Sequence, residues 1–165
     1  MQKLLGVNEP DYGVLLDDML FSSGRELDIS GMVSPKVEGE IAFRLKDELS
    51  GPDATVADVF AAVSGVIPAI EVVDSRVSGW KITLADTVAD NASSCALVLG
   101  ENEYDPRDFD LVNIGMYLEK NGKLCNSGAG IEVMGNPAAA VAWLANKLFA
   151  YGMTLRAGDI VLSGA

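Results

Sequence analysis

The sequence contains no histidine. That excludes serine–histidine hydrolysis, zinc sites built on imidazole and the usual proton shuttle near neutral pH. Basic residues are scarce, 12 against 24 acidic ones, for a net charge of −12. A nucleic-acid binder carries a basic stripe, so that class is excluded. Cysteine is limited to Cys95 and Cys125, far apart and without a CxxC pattern. They read as free thiols in a reducing compartment, which makes the cytoplasm the expected location. No apolar run approaches the ~20 residues of a membrane span. Met1-Gln2-Lys3-Leu4-Leu5-Gly6 lacks the long apolar region of a secretory signal. Neither GxGxxG nor GxxxxGK[ST] occurs, so nucleotide cofactors have no support. Acid–base chemistry is left to carboxylates, lysine, tyrosine or metal-bound water.

What is present is a chain of 165 residues, 49% hydrophobic, long enough for one domain with a sizeable core. From Val37 to Leu45, Val37, Gly39, Ile41, Phe43 and Leu45 alternate with Glu38, Glu40, Ala42 and Arg44. That period of two predicts a strand with one apolar face. Glu38 and Glu40 then leave the same face about 7 Å apart, and like charges so placed repel. Glu71 interrupts the apolar run Val66–Val73, a predicted buried strand. A lone carboxylate there is costly unless a cation or a donor meets it. One hard divalent cation held by Glu38, Glu40 and Glu71 would answer both problems, and oxygen-only ligation suits Mg²⁺ or Mn²⁺. The plainer alternative is a solvated strand face, with Lys36 and Arg44 as surface partners. A structural Ca²⁺-binding β domain is a third reading. Asp74 and Arg76 read as a structural ion pair.

Along the chain, Pro10-Asp11-Tyr12-Gly13 is a turn signal. Thr55-x-x-Asp58 opens a helix on which Val56, Val59, Phe60 and Val63 recur, ending near Gly65. Residues 76–94 show little periodicity and read as a long irregular segment, often a functional feature. Cys95–Leu99 is a short strand, Val112–Leu118 another, and Asn121-Gly122 a hairpin turn. Asn136 and Pro137 start a helix over 138–150 that Gly152 terminates. Ile160–Leu162 begins a last strand. Trp80, Trp143 and Phe149 are expected in the core or a subunit interface. Many strands with few helices predict an α+β, mostly-β architecture rather than a doubly wound sheet.

Three segments in order, Pro35-Lys36-Val37-Glu38-Gly39-Glu40-Ile41-Ala42-Phe43, Pro68-Ala69-Ile70-Glu71-Val72-Val73-Asp74-Ser75-Arg76 and Asp86-Thr87-Val88-Ala89-Asp90-Asn91-Ala92-Ser93, carry a resemblance. With Pro10-Asp11-Tyr12-Gly13, Asp17-Asp18-Met19 and Gly158–Gly164, they resemble the hydratase/decarboxylase branch of the fumarylacetoacetate hydrolase superfamily. The resemblance implies a mixed β-sheet roll of that family's C-terminal-domain type, Mg²⁺ or Mn²⁺ as cofactor, and a homo-oligomer. It implies metal binding by Glu38, Glu40 and Glu71, a proton-transfer or water-orienting role for Asp11, and substrate contacts from Asp90, Asn91 and Ser163. The activity implied is hydration of a short 2-hydroxydienoate in aromatic-compound catabolism, with a related decarboxylase or aldolase as a possible partner. The alternatives are decarboxylation of an oxalocrotonate-type substrate and a non-catalytic partner subunit. The family places an active-site lysine upstream of Gln2 and further strands beyond Ala165. The expectation is therefore a single catalytic domain over 1–165 lacking both segments.

Overall fold

The computed structural model describes residues 10–164, so the expectation for Met1–Gly6 lies outside the described residues. The strands are β1 (Leu20–Ser22), β2 (Lys36–Leu45), β3 (Val63–Val73), β4 (Ser94–Leu99), β5 (Gly115–Lys120), β6 (Lys123–Ala129) and β7 (Ile160–Leu162). The α-helices are α1 (Val56–Ala62), α2 (Leu84–Ala89) and α3 (Pro137–Phe149). Five strands form one mixed sheet in the order β1-β4-β3-β2-β7, and β5 pairs with β6 alone. The predicted α+β class, a mixed sheet with few helices, is the architecture found. No helix among the described residues is long and apolar enough to cross a membrane.

The chain divides into two compact units. The first comprises Met1–Glu38 and Ala69–Gly100. In it β1 runs parallel to β4, with Leu20 beside Leu97, and β4 runs antiparallel to β3, with Leu97 beside Glu71. The segment over 76–94, irregular by its periodicity, contains a helix. Thr83 and Asp86 form a reciprocal capping box that starts α2. The signal is the same Thr-x-x-Asp that correctly marked α1 at Thr55 and Asp58. Six residues leave no room for a recognisable apolar stripe, so periodicity missed a helix its cap announced.

The second unit comprises Gly39–Pro68 and Glu101–Ala165. Its core gathers Phe43 and Leu45 of β2, Val59 and Ala62 of α1, Val63 and Val66 of β3, and Val141, Ala142 and Ala145 of α3. Asn136 caps α3 by accepting the Ala138 N–H at 2.9 Å, as predicted. Small side chains at Ala138, Val141, Ala142 and Ala145 recur every three or four residues and form its buried stripe. The Asn146 amide of α3 accepts the Ala54 N–H at 2.8 Å and donates to the Ala54 carbonyl at 2.9 Å. It thereby holds the turn before α1. Asn121 and Gly122 both take positive φ in the tight β5–β6 turn, the type the sequence called for. β5 starts at Gly115, later than predicted, because Asp110 gathers the Val112 and Asn113 N–H groups into a turn. Phe149 is 46% exposed at the helix end, not core.

The alternation along β2 holds in direction but not in burial. Val37 is half exposed, whereas Glu40 and Ala42, on the face opposite the predicted apolar one, are almost fully buried. A period of two identifies which residues share a face, but not which face is covered.

Candidate metal centre

Glu38 and Glu40 project from β2 and Glu71 from β3, strands adjacent in the sheet. Each offers one carboxylate oxygen, and these oxygens all lie within 4.8 Å of one another. Glu40 is 1% exposed, and Glu38 and Glu71 are partly buried. Burial pushes the carboxyls of Glu38 and Glu71 above their ordinary value. The charge of Asp11 raises both further, while Lys36 opposes the rise at Glu38 and the Ser94 hydroxyl opposes it at Glu71. Such convergence of acids raises the energy of the ionised cluster.

The cluster fits a hard divalent cation. Oxygens bound to such an ion at about 2.0–2.6 Å lie at most about 4–5 Å apart, the spacing found. All three donors are carboxylate oxygens, the set that Mg²⁺, Mn²⁺ and Ca²⁺ prefer. The two basic residues nearest in sequence face elsewhere. Arg44 pairs with Glu103 at 2.9 Å, and the Lys36 ammonium sits 3.8 Å from the centre of the Trp80 ring. The solvated-face alternative would have them neutralise the glutamates, and both are engaged elsewhere.

Asp11 lies on a segment without regular structure, and its Oδ2 is buried with no hydrogen-bond partner. The Asp11 charge acts on both Glu38 and Glu71, so the sequence-predicted proton-transfer residue and these two carboxylates share one neighbourhood. Asp90 accepts the Arg76 N–H at 3.1 Å and the Ser93 hydroxyl at 2.8 Å, and pairs with the Arg76 guanidinium at 3.5 Å. The expected Asp74–Arg76 pair is thereby corrected. Asp74 instead accepts the N–H groups of Val33 and Ser34 at 2.8 and 2.7 Å, anchoring the approach to β2. Successive backbone donors outcompete one flexible guanidinium, because they lose no side-chain entropy on binding. Asn91 accepts the Val14 N–H at 2.7 Å and donates to the Val14 carbonyl at 2.9 Å. Ser163, at the end of β7, is nearly buried, and its hydroxyl donates to the Gly164 carbonyl at a long 3.4 Å.

Asn91, Ala92 and Ser93 all have φ near +56°. Three consecutive left-handed residues cost roughly 1–2 kcal/mol each, less for asparagine. The bonds from Asp90 to Ser93 and Arg76, and the Asp74 N–H bond to the Ser93 carbonyl at 2.8 Å, hold this turn. Sequence reasoning missed Ser94, whose buried hydroxyl acts on Glu71, and the anchoring role of Asp74. The register that puts Val73 opposite Ser94 is a pairing of distant segments, for which no local signal exists.

The fumarylacetoacetate (FAA) hydrolase C-terminal model matches residues 7–165, and the chain belongs to that family. It is 52% identical over 154 residues to a 2-hydroxypent-2,4-dienoate hydratase of Pseudomonas putida, covering 93% of this chain and 69% of the relative. It is 47% identical over 167 residues to a 2-hydroxyhexa-2,4-dienoate hydratase of Comamonas testosteroni, covering 100% of this chain and 63% of the relative. Among solved structures, the 4-oxalocrotonate decarboxylase from Pseudomonas putida G7, complexed with magnesium and adipate, superposes with a TM-score of 0.95 at 38% identity. That match covers 99% of this chain and 62% of the decarboxylase. The chain thus spans between 62% and 69% of the length of these three relatives.

Proposed function

We propose that the chain carries the metal site of a hydro-lyase that adds water to a short 2-hydroxy-2,4-dienoate, such as 2-hydroxypenta-2,4-dienoate, giving 4-hydroxy-2-oxopentanoate. The observation that supports this reading is the convergence of one oxygen each from Glu38, Glu40 and Glu71 within 4.8 Å. The choice of hydration over decarboxylation rests on 47–52% identity to dienoate hydratases against 38% to the decarboxylase.

Glu38, Glu40 and Glu71 would hold Mg²⁺ or Mn²⁺. When bound, the cation supplies Lewis-acid polarisation to a chelating 2-oxo acid. The overall change places the hydroxyl of water on C4 and one hydrogen each on C3 and C5. One of those hydrogens comes from the 2-hydroxyl and the other from water. Asp11 is the proposed carrier of these protons, because its buried Oδ2 is not committed to a donor. Ser163 is the second candidate for substrate contact, since its hydroxyl is held by a long bond alone among those described. A homo-oligomer, and a complex with a related decarboxylase or aldolase, belong to the same proposal. The exposed aliphatic side chains Val14, Leu16, Leu20 and Val33 support such association.

The test is loss of diene absorbance when the purified chain meets 2-hydroxypenta-2,4-dienoate and Mg²⁺, with the product identified by mass. Glu71→Gln is expected to abolish turnover and to weaken Mg²⁺ binding about 100-fold or more by calorimetry, since removing one charged ligand removes much of the site's affinity. The metal-free variant should be at least as stable as the unsubstituted chain, because a buried charge has been removed. Unchanged Mg²⁺ affinity in both Glu38→Gln and Glu71→Gln would reject the site. Carbon dioxide released from 4-oxalocrotonate, with no hydration of the dienoate, would reassign the reaction to the decarboxylase.

A further inference from the structure

Asn91 and Asp11 belong to the same unit of the chain, and the way they are connected carries an inference about how the acid is placed. The segment over 10–16 has no regular secondary structure, yet it bears the carboxylate whose charge acts on Glu38 and Glu71. Asn91 meets that segment with both ends of its amide, Oδ1 taking the Val14 N–H and Nδ2 giving to the Val14 carbonyl. This two-point bond reproduces one rung of a β-ladder with a side chain in place of a strand. The approach is close. A Cβ on Gly13 would lie 2.5 Å from the Asn91 carbonyl oxygen and 2.9 Å from its Oδ1, so only glycine fits there.

The other side of the rung is equally fixed. Asp90 binds the Arg76 N–H and the Ser93 hydroxyl, and the Ser93 carbonyl takes the Asp74 N–H, so the left-handed turn is tied to the end of β3. That strand also carries Glu71. A continuous path of backbone and hydrogen bonds therefore runs from Glu71 through Asp74, the turn and the Asn91 amide to Val14, three residues from Asp11.

We infer that Asn91 is a positioning residue, a one-rung clamp that sets the Asp11 segment against Glu38 and Glu71, rather than a group that touches substrate. Its amide atoms are already engaged by the backbone, which leaves Asp11 as the reactive group of the pair. The inference rests on the proposed hydratase reading for its kinetic arm only.

Asn91→Gly is the variant of choice, because it removes the amide while suiting the positive φ. Native-state hydrogen exchange at the Val14 amide is expected to quicken about tenfold or more, with Mg²⁺ affinity by calorimetry within about threefold of the unsubstituted chain. In turnover of 2-hydroxypenta-2,4-dienoate, kcat should fall about tenfold or more with KM nearly constant. Combined with Asp11→Asn, Asn91→Gly should cost no further kcat, since both act through one carboxylate. Asn91→Asp keeps the acceptor for the Val14 N–H and should restore part of its protection. Unchanged exchange at Val14 would overturn the clamp. A rise in KM that multiplies with the effect of Asp11→Asn would overturn it too, marking a direct substrate contact. If the unsubstituted chain shows no turnover, the hydratase reading fails alone. The exchange and Mg²⁺ measurements then decide the clamp, with slowed or equal exchange at Val14 counting against it.

Discussion

The two units of this chain differ in the balance of groups they bury. In the unit of Gly39–Pro68 and Glu101–Ala165 the interior is mostly hydrocarbon, with Phe43, Leu45, Val59, Val63, Val141 and Val161 all 6% exposed or less and Glu40 and Ser163 as its buried polar exceptions. In the unit of Met1–Glu38 and Ala69–Gly100 the buried set includes Asp74, Ser75, Thr87, Ser93 and Ser94 beside Val72, Val73, Ala96 and Leu97. Hydrocarbon burial is tolerant of detail and stabilises in proportion to area. Buried polar groups stabilise little on balance but fix geometry, because each must find its own partner. The comparison teaches a division of labour in which one unit supplies stability and the other orients Glu38, Glu71 and Asp11. Both use the same device among the described residues. Asn146 clamps Ala54 in the apolar unit as Asn91 clamps Val14 in the polar one.

The contrast can be broken most severely at Phe43, which is fully buried in the apolar core. Phe43→Ala should lower the unfolding free energy by about 3–5 kcal/mol, read from urea denaturation. A loss under about 1 kcal/mol would mean that this core is not the main source of stability. At the polar unit the equivalent blow is Asp74→Ala, which leaves the Val33 and Ser34 N–H groups without their acceptor. The expected cost is smaller, about 1–3 kcal/mol. Val33 and Ser34 amides should exchange faster, and substrate turnover should suffer more than stability.

Proton competition sharpens the comparison further. Glu38 and Glu71 have carboxyls raised above the ordinary 4.5 by burial. Because only their ionised forms bind a cation, Mg²⁺ affinity should weaken as pH falls through the raised values, by up to about tenfold per pH unit for each proton displaced. The metal-free protein should show the opposite trend from these two groups. With folded values above the unfolded ones, their contribution is fully present below pH 4.5 and is lost as pH rises through the folded values. Calorimetric titrations between pH 5 and 8 at about 0.1 M salt would check the first arm, and a pH-independent affinity would contradict it. The smallest effect is expected from Arg44→Ala, which removes a half-exposed ion pair with Glu103. It should change stability by about 0–1 kcal/mol, and that change should shrink in salt.

Much of the architecture follows from local pattern. The capping box at Thr55 and Asp58, the Asn136-Pro137 start, the Asn121-Gly122 turn and the period-two run of β2 each bias the backbone through near neighbours. A chain with the same local signals would form these elements in nearly any fold. The three glutamates were recognisable for a related reason, since acids spaced to share a strand face, or set inside an apolar run, are costly unless something meets them. The helix at 84–89 is marked in the sequence only by its cap, being too short for a periodicity to register.

Other features depended on segments distant in sequence. Nothing near Asp74 foretells that Val33 and Ser34 will be its donors instead of Arg76, and nothing near Asn91 foretells Val14. These partners come from parts of the chain more than thirty residues apart, brought together by strand pairing. Residue types and spacing settled which side chains are capable of holding a cation. Only the folded sheet decided that Glu38, Glu40 and Glu71 converge, because long-range register is a property of the packed chain and not of any stretch of it.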